Sequence, residues 1–361
     1  MNKLLKSPGL KKAIGSLLTI AISLIISFII FLVISPSDAL YEFGVLLTGG
    51  LAYFGLEGFF DILAQAAPLI CCGLAILFAF KTGLFNIGAA GQYVMGAFAA
   101  LMFTLHFGCN WFVAVIMSII FGALWGIIPA LLKAYCKVSE VISGIMLNWI
   151  SLFFVNHSFQ TYLKDCVNGL QAKTYEITGN FKLPNLGLSQ YFGNNFTISI
   201  FIALLMVVIV WVILEKTTLG YQIKASGLNN HATRYAGIND KANLLITMAI
   251  SGALAGLGAS LYYLAGLSQW QVQANSALPG LPWNGIVVAF IAQLSPIAAI
   301  FVSIFISFIS QGSVAMSQSI FPVEFGSLIT GIIVYLSGLT SIIMMFITSK
   351  LKKKKKAKGA E

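Results

Sequence analysis

The chain has 361 residues, 58% of them hydrophobic and only 9% charged, with a formal net charge of +10. Ordinary soluble domains carry about 25% charged residues, so a composition this apolar excludes a water-soluble fold and calls for a bilayer as solvent. The positive charge implies no nucleic-acid partner, because it is concentrated in a tail, "LKKKKKAKGAE", that directly follows an apolar run; such a run orients the protein and attracts anionic membrane lipid.

A helix crosses the hydrocarbon with about 20 apolar residues, since its backbone groups must be satisfied internally where no water reaches them. Apolar runs lie at 13–34, 59–80, 87–107, 111–133, 141–157, 196–214, 242–264, 283–294, 296–312 and 324–349. They predict an all-α, polytopic integral membrane protein of about ten transmembrane helices, built as a single transmembrane domain over 1–361. The first run, 13–34, is long and lacks a small-residue cleavage site, so it reads as a signal anchor. The eighth, 283–294, is too short to cross as a straight helix and meets Ser295-Pro296 at once; it is a half-helix or one arm of a tight hairpin.

Cytoplasmic loops carry the excess of Lys and Arg. With both termini cytoplasmic, every basic residue falls inside except Lys164, Lys173 and Lys182, which lie in the external loop 158–195. The largest cytoplasmic loop is then 215–241, and the polybasic tail 350–361 is cytoplasmic too. An odd number of spans would strand one Lys-rich terminus outside.

Nothing in the sequence points to a catalyst. No H-E-x-x-H, G-x-S-x-G or G-x-x-x-x-G-K-[ST] occurs, and His106, His157 and His231 have no acidic neighbour at helical spacing. The chain is therefore expected to have no catalytic residue, no metal site and no bound cofactor. Cys71, Cys72, Cys109, Cys136 and Cys166 lack metal-ligand spacing. The acidic residues fall mostly at span ends or in loops, and Asp61 and Glu324 are the two that reach just inside an outer interface. Ion-driven transporters carry charge inside the membrane, so this pattern favours an uncharged polar solute, with energy from a partner, over an ion-driven secondary transporter.

The stretch "GLFNIGAAGQYVMGAF", Gly83 to Phe98, places a polar, glycine-rich hinge beside a cytoplasmic turn. Either its glycines permit close helix packing while Asn86 caps the following helix, or a thin helix start moves while Asn86 and Gln92 hold neighbouring helices. Uncharged polar and aromatic groups on spans are the substrate candidates: Asn86, Gln92, Asn148, Trp149, Trp283 and Asn284, with interfacial anchoring the alternative for both tryptophans. The loop from Lys224 to Ile238 has helix-compatible composition, with Gly227 and Gly237 as breaks, and reads as either a docking helix or a solvated connector.

Five stretches, "GLFNIGAAGQYVMGA", "EVISGIMLNWI", "KASGLNNHATRYAGI", "SGALAGLGA" and "NGIVVAFIAQLSP", resemble in order the motifs of bacterial ABC-importer permeases of the branched-chain amino acid, ribose and nucleoside family, nearest the nucleoside-type permeases. The resemblance runs from about residue 59 onward. It implies a multi-pass subunit in the inner membrane of a bacterium, ATP and Mg on a partner ATPase, a second non-identical permease and an extracytoplasmic solute-binding lipoprotein. It further implies an ATPase-coupling element in 215–241 comprising Lys224, Gly227, Asn229, Ala232, Arg234, Tyr235, Ala236 and Gly237. This chain departs at Thr233, where a second alanine is usual, and at Ala90, where the nucleoside branch reads F-N-I-G-A-E-G-Q. Nucleosides lead as the expected solute, with riboflavin and pentoses as alternatives.

Overall fold

In the computed structural model the described residues are 8–48, 51–185, 187, 196–229, 233, 235–272, 277–316 and 324–338. Among these residues, twelve α-helices have described bounds: α1 Pro8–Ile34, α2 Ala39–Leu47, α3 Leu51–Lys81, α4 Ala89–Leu101, α5 Trp111–Cys136, α6 Glu140–Thr161, α7 Ser199–Lys216, α8 Thr218–Leu228, α9 Asp240–Tyr263, α10 Leu281–Ile291, α11 Pro296–Met316 and α12 Glu324–Gly338. Among the described residues, 7 helices are long and apolar enough to cross a membrane. The all-α, polytopic membrane architecture expected from composition is what the chain adopts. The run expected at 87–107 is α4 continued by a π-helical turn, Met102–His106, and the eighth run is the short helix α10.

The contacts divide the chain into two compact units. One comprises Met1–Gly55, Phe290–Gln293 and Phe308–Glu361; the other comprises Leu56–Ala289 and Leu294–Ser307. In the first, α1 packs against α2 and α12. Phe31 is a buried anchor there, stacked on Phe325 with ring centroids 5.6 Å apart. Its α2 was not anticipated: Glu42, read from sequence as a loop or span-end acid, is a buried side chain on this helix.

The second unit is built around α4, whose 13 residues are all buried. A helix enclosed on every side must be thin, and AAGQYVMGAFAAL supplies alanine and glycine. It packs against α5, α6 and α9. Ser118, Gly122 and Gly126 on α5 recur at the four-residue helical interval that brings side chains onto one face, and oppose Met248, Gly252 and Gly256 on α9. The backbones touch: a methyl on Gly122 would run into the Gly252 carbonyl, and Ser118 Oγ donates to the Gly256 carbonyl at 2.6 Å. "SGALAGLGA" is therefore a close-packing face. Leucines and isoleucines on the outer side of α5 and α7 stay exposed, as suits surfaces facing lipid.

A two-stranded hairpin, β1 Val167–Asn168 with β2 Lys173–Thr174, pairs Val167 with Thr174. Its second strand bridges onward to Gln271, beyond α9.

Candidate functional site

The chain leaves α3 at Lys81 and reaches α4 through a turn that contains the polar hinge. Gly83 takes φ +76, a left-handed conformation that only glycine adopts without strain. Gly227, in the last turn of α8, lies backbone to backbone against it, since a methyl there would enter the Lys81 carbonyl and approach the Gly83 nitrogen at 3.2 Å. The exposed loop thus rests directly on the hinge.

Three polar residues on α9, Asn243, Thr247 and Ser251, follow the same four-residue interval and are all buried. Each holds a different segment. Asn243 Nδ2 donates to Ser226 Oγ of α8 at 3.2 Å, and Thr247 Oγ1 meets Thr82 Oγ1 of the turn at 3.0 Å. Ser251 Oγ donates to the Ala75 carbonyl of α3 at 2.6 Å and accepts from Asn86 Nδ2 at 2.7 Å.

Asn86 does not cap α4; Gly88 stands at that position and offers no side chain. Instead the Asn86 and Gln92 amides pair reciprocally, Nδ2 to Oε1 at 2.8 Å and Nε2 to Oδ1 at 3.2 Å. Asn148 of α6 joins the cluster, accepting from the Gly91 N–H at 2.7 Å and donating to the Ile87 carbonyl at 3.0 Å. A methyl on Gly144 would stand 2.8 Å from the Gly88 nitrogen, so α6 also approaches at backbone distance. Asn86, Gln92 and Asn148 are therefore brought together as one buried seam among α3, α4, α6 and α9.

Trp149, Trp283 and Asn284 do not join it. Trp149 faces outward from α6, stacked on Phe153 with centroids 6.0 Å apart. Trp283 is exposed and Asn284 half-buried near the start of α10.

The large loop carries a helix at Thr218–Leu228, which enters the span 224–238 anticipated from sequence at its start, and Thr233 and Tyr235 are helical within that span. Thr217 starts the Thr218–Leu228 helix, accepting from the Gly220 N–H as an N-cap. Gly227 lies in the last turn of that helix, one residue before its end, and Gly237, at φ +77, stands in the turn before α9. Lys224 pairs with Glu215 at 3.1 Å, and the Asn229 carbonyl accepts from the Thr233 N–H at 3.2 Å. Tyr235 is 95% exposed, and Ala236 and Gly237 are exposed beside it. Ala232 and Arg234 lie outside the described residues.

Residues 58–338 match the family described as "Branched-chain amino acid transport system / permease component". The chain belongs to this family. Among similar curated proteins, the guanosine ABC transporter permease protein NupP of Bacillus subtilis is 35% identical over 301 residues, 81% of this chain and 84% of that one. The nucleoside ABC transporter permease protein NupB of Lactococcus lactis is 34% identical over 293 residues, 78% of this chain and 79% of its own length. The glucose ABC transporter permease protein TsgB13 of Haloferax volcanii is 30% identical, covering 77% of this chain and 74% of that one. No solved structure matches the chain. Like its family, the permease is a multi-pass membrane transport subunit.

Asn243, Thr247 and Thr82 were not singled out from the sequence, although the polar interval on α9 is readable there. A second group carries no such signal. His106 Nδ1 lies 2.7 Å from Asp165 Oδ2, and Cys166 Sγ belongs to the same cluster, with the ligand atoms all within 4.8 Å. The hydrogen bond from His106 holds the Asp165 carboxyl below its ordinary value, and burial pushes the Cys166 thiol up to about 12.

Proposed function

We propose that this permease forms the translocation pathway of an ABC importer for nucleoside-like solutes. ATP and Mg are held by separate ATPase subunits, a solute-binding lipoprotein delivers the cargo from outside, and a second, non-identical permease completes the pathway. The chain spans the bilayer about ten times, with both termini, the 350–361 tail and the 215–241 loop in the cytoplasm.

The observation that carries the coupling assignment is the contact between loop and hinge. Tyr221, Leu228 and Tyr235 project from that loop at 70%, 89% and 95% exposure, an apolar surface suited to a protein partner. A push on α8 passes through Gly227 to the Lys81–Gly83 turn and through Ser226, Thr82 and Asn86 to the polar face of α9. Helices α4, α6 and α9 then shift together, because the buried seam is cheaper to move whole than to break in hydrocarbon. Lys224, Asn229, Ala232, Arg234, Ala236 and Gly237 complete the docking surface. In the accompanying pathway assignment, Asn86, Gln92 and Asn148 position the helices, while Trp149, Trp283 and Asn284 meet solute or partner.

Similarity to the guanosine and nucleoside permeases supports the solute class. The glucose permease relative and Ala90 keep sugars and riboflavin on the assay panel. The complex with its ATPase and binding protein, reconstituted in vesicles, should hydrolyse ATP faster with nucleosides than with riboflavin, pentoses or glucose. Stimulation by another class reassigns the solute; uptake that persists without any ATPase and follows an ion gradient refutes the importer reading.

A further inference from the structure

At the ends of α4 and α9 remote from the hinge lies a cavity of about 370 Å³, within the range of about 300–1,000 Å³ for small-molecule sites. The hairpin after α6 and the segment 268–272 form its wall, and Leu101 of α4 and Tyr263 of α9 belong to its lining. The wall is pinned by main chain: the Val272 N–H donates to the Ala172 carbonyl at 2.8 Å, and the Thr174 N–H to the Trp270 carbonyl at 2.9 Å. Trp270 Nε1 donates to Asn156 Oδ1 of α6 at 2.9 Å, tying the wall to a membrane helix.

We propose that this cavity is an intake site for an uncharged nucleoside, a reading that rests on the importer function above. Lys173 and Glu176 line it with opposite charges, so the lining residues themselves present no net positive charge to a phosphate ester, and Lys182 stands beside lining Gly266. A carboxylate accepts the two hydroxyls of a ribose diol, and the amides of Gln269 and Gln271 offer both donor and acceptor to a base edge. Tyr263 supplies an aromatic surface. Behind it the rings continue inward: Tyr93 of α4 lies 6.3 Å from Tyr263 by centroid, and Trp270 lies 5.9 Å from it. The Tyr93 hydroxyl is buried and has no hydrogen-bond partner among the described residues. Tyr93 directly follows Gln92, so the ring behind Tyr263 stands on the same turn of α4 as the buried seam.

The test is protection from alkylation. Ser268→Cys, in a Cys109→Ser, Cys136→Ser background, is placed in the complete permease–ATPase complex in closed vesicles and treated with a membrane-impermeant maleimide. Native Cys166 stays silent because its buried thiol is held protonated. Guanosine should slow labelling, whereas ribose and guanosine monophosphate should not, and adding Glu176→Gln should raise the half-protecting guanosine concentration about tenfold. Labelling indifferent to guanosine, or protected equally by the monophosphate or ribose, overturns the proposal. Guanosine uptake by the unsubstituted complex is measured alongside: uptake without protection removes the intake site and leaves the importer reading standing, while absent uptake removes both.

Discussion

Replacing Asn86 probes the seam most directly. Its Nδ2 donates to both Gln92 Oε1 and Ser251 Oγ, and the Ser251 hydroxyl already gives its proton to the Ala75 carbonyl. The orientation of the amide is thereby dictated: a donor must face α9 and an acceptor must face Gln92 Nε2. Asn86→Ala deletes three hydrogen bonds and leaves a buried glutamine unpaired. At about 0.6 kcal/mol per interhelical hydrogen bond in membrane proteins, rising toward about 1.7 in the best cases, the loss is about 2–5 kcal/mol. Asn86→Asp has the same shape but sets an acceptor against two acceptors and buries a charge, so it should cost more than alanine. Reversible unfolding in mixed micelles, followed by tryptophan fluorescence, measures both. An aspartate variant as stable as the native protein, or more stable than the alanine variant, would refute the bonding pattern.

Gly252→Val should prevent α5 and α9 from approaching and abolish detergent-stable protein, whereas Gly331→Ala, where no atom lies within 4 Å of the added methyl, should express normally; size-exclusion profiles compare them. Thr247→Val should lower uptake per ATP hydrolysed while leaving the basal ATPase rate intact, and Thr247→Ser should restore the ratio, if the hydroxyl transmits loop movement. Because folding lowers the Asp165 pKa below 3.8, its stabilising contribution is complete above that value and is lost as pH falls through the lowered one. The thermal midpoints of native protein and Asp165→Asn should therefore converge under acid and separate toward neutrality; a gap independent of pH contradicts the bond to His106.

Membrane residence, helical class and family were legible in the residues themselves, because hydrocarbon imposes length and hydrophobicity on each helix separately. The expected start of family resemblance, about residue 59, stands beside the observed match from residue 58. Glycines at a four-residue interval in "SGALAGLGA" likewise announced close packing, since the interval is a property of one helix. The partner of each polar side chain was decided elsewhere. Asn86 looked like a cap because capping is local, yet it serves a serine 165 positions away. Asp165 comes to His106 across 59 positions, and the intake cavity exists only where the hairpin meets the segment after α9. Local periodicity determines what a helix is and which face it buries; only the tertiary structure decides which distant group satisfies a buried donor, because that choice belongs to the whole packing and to no single stretch of chain.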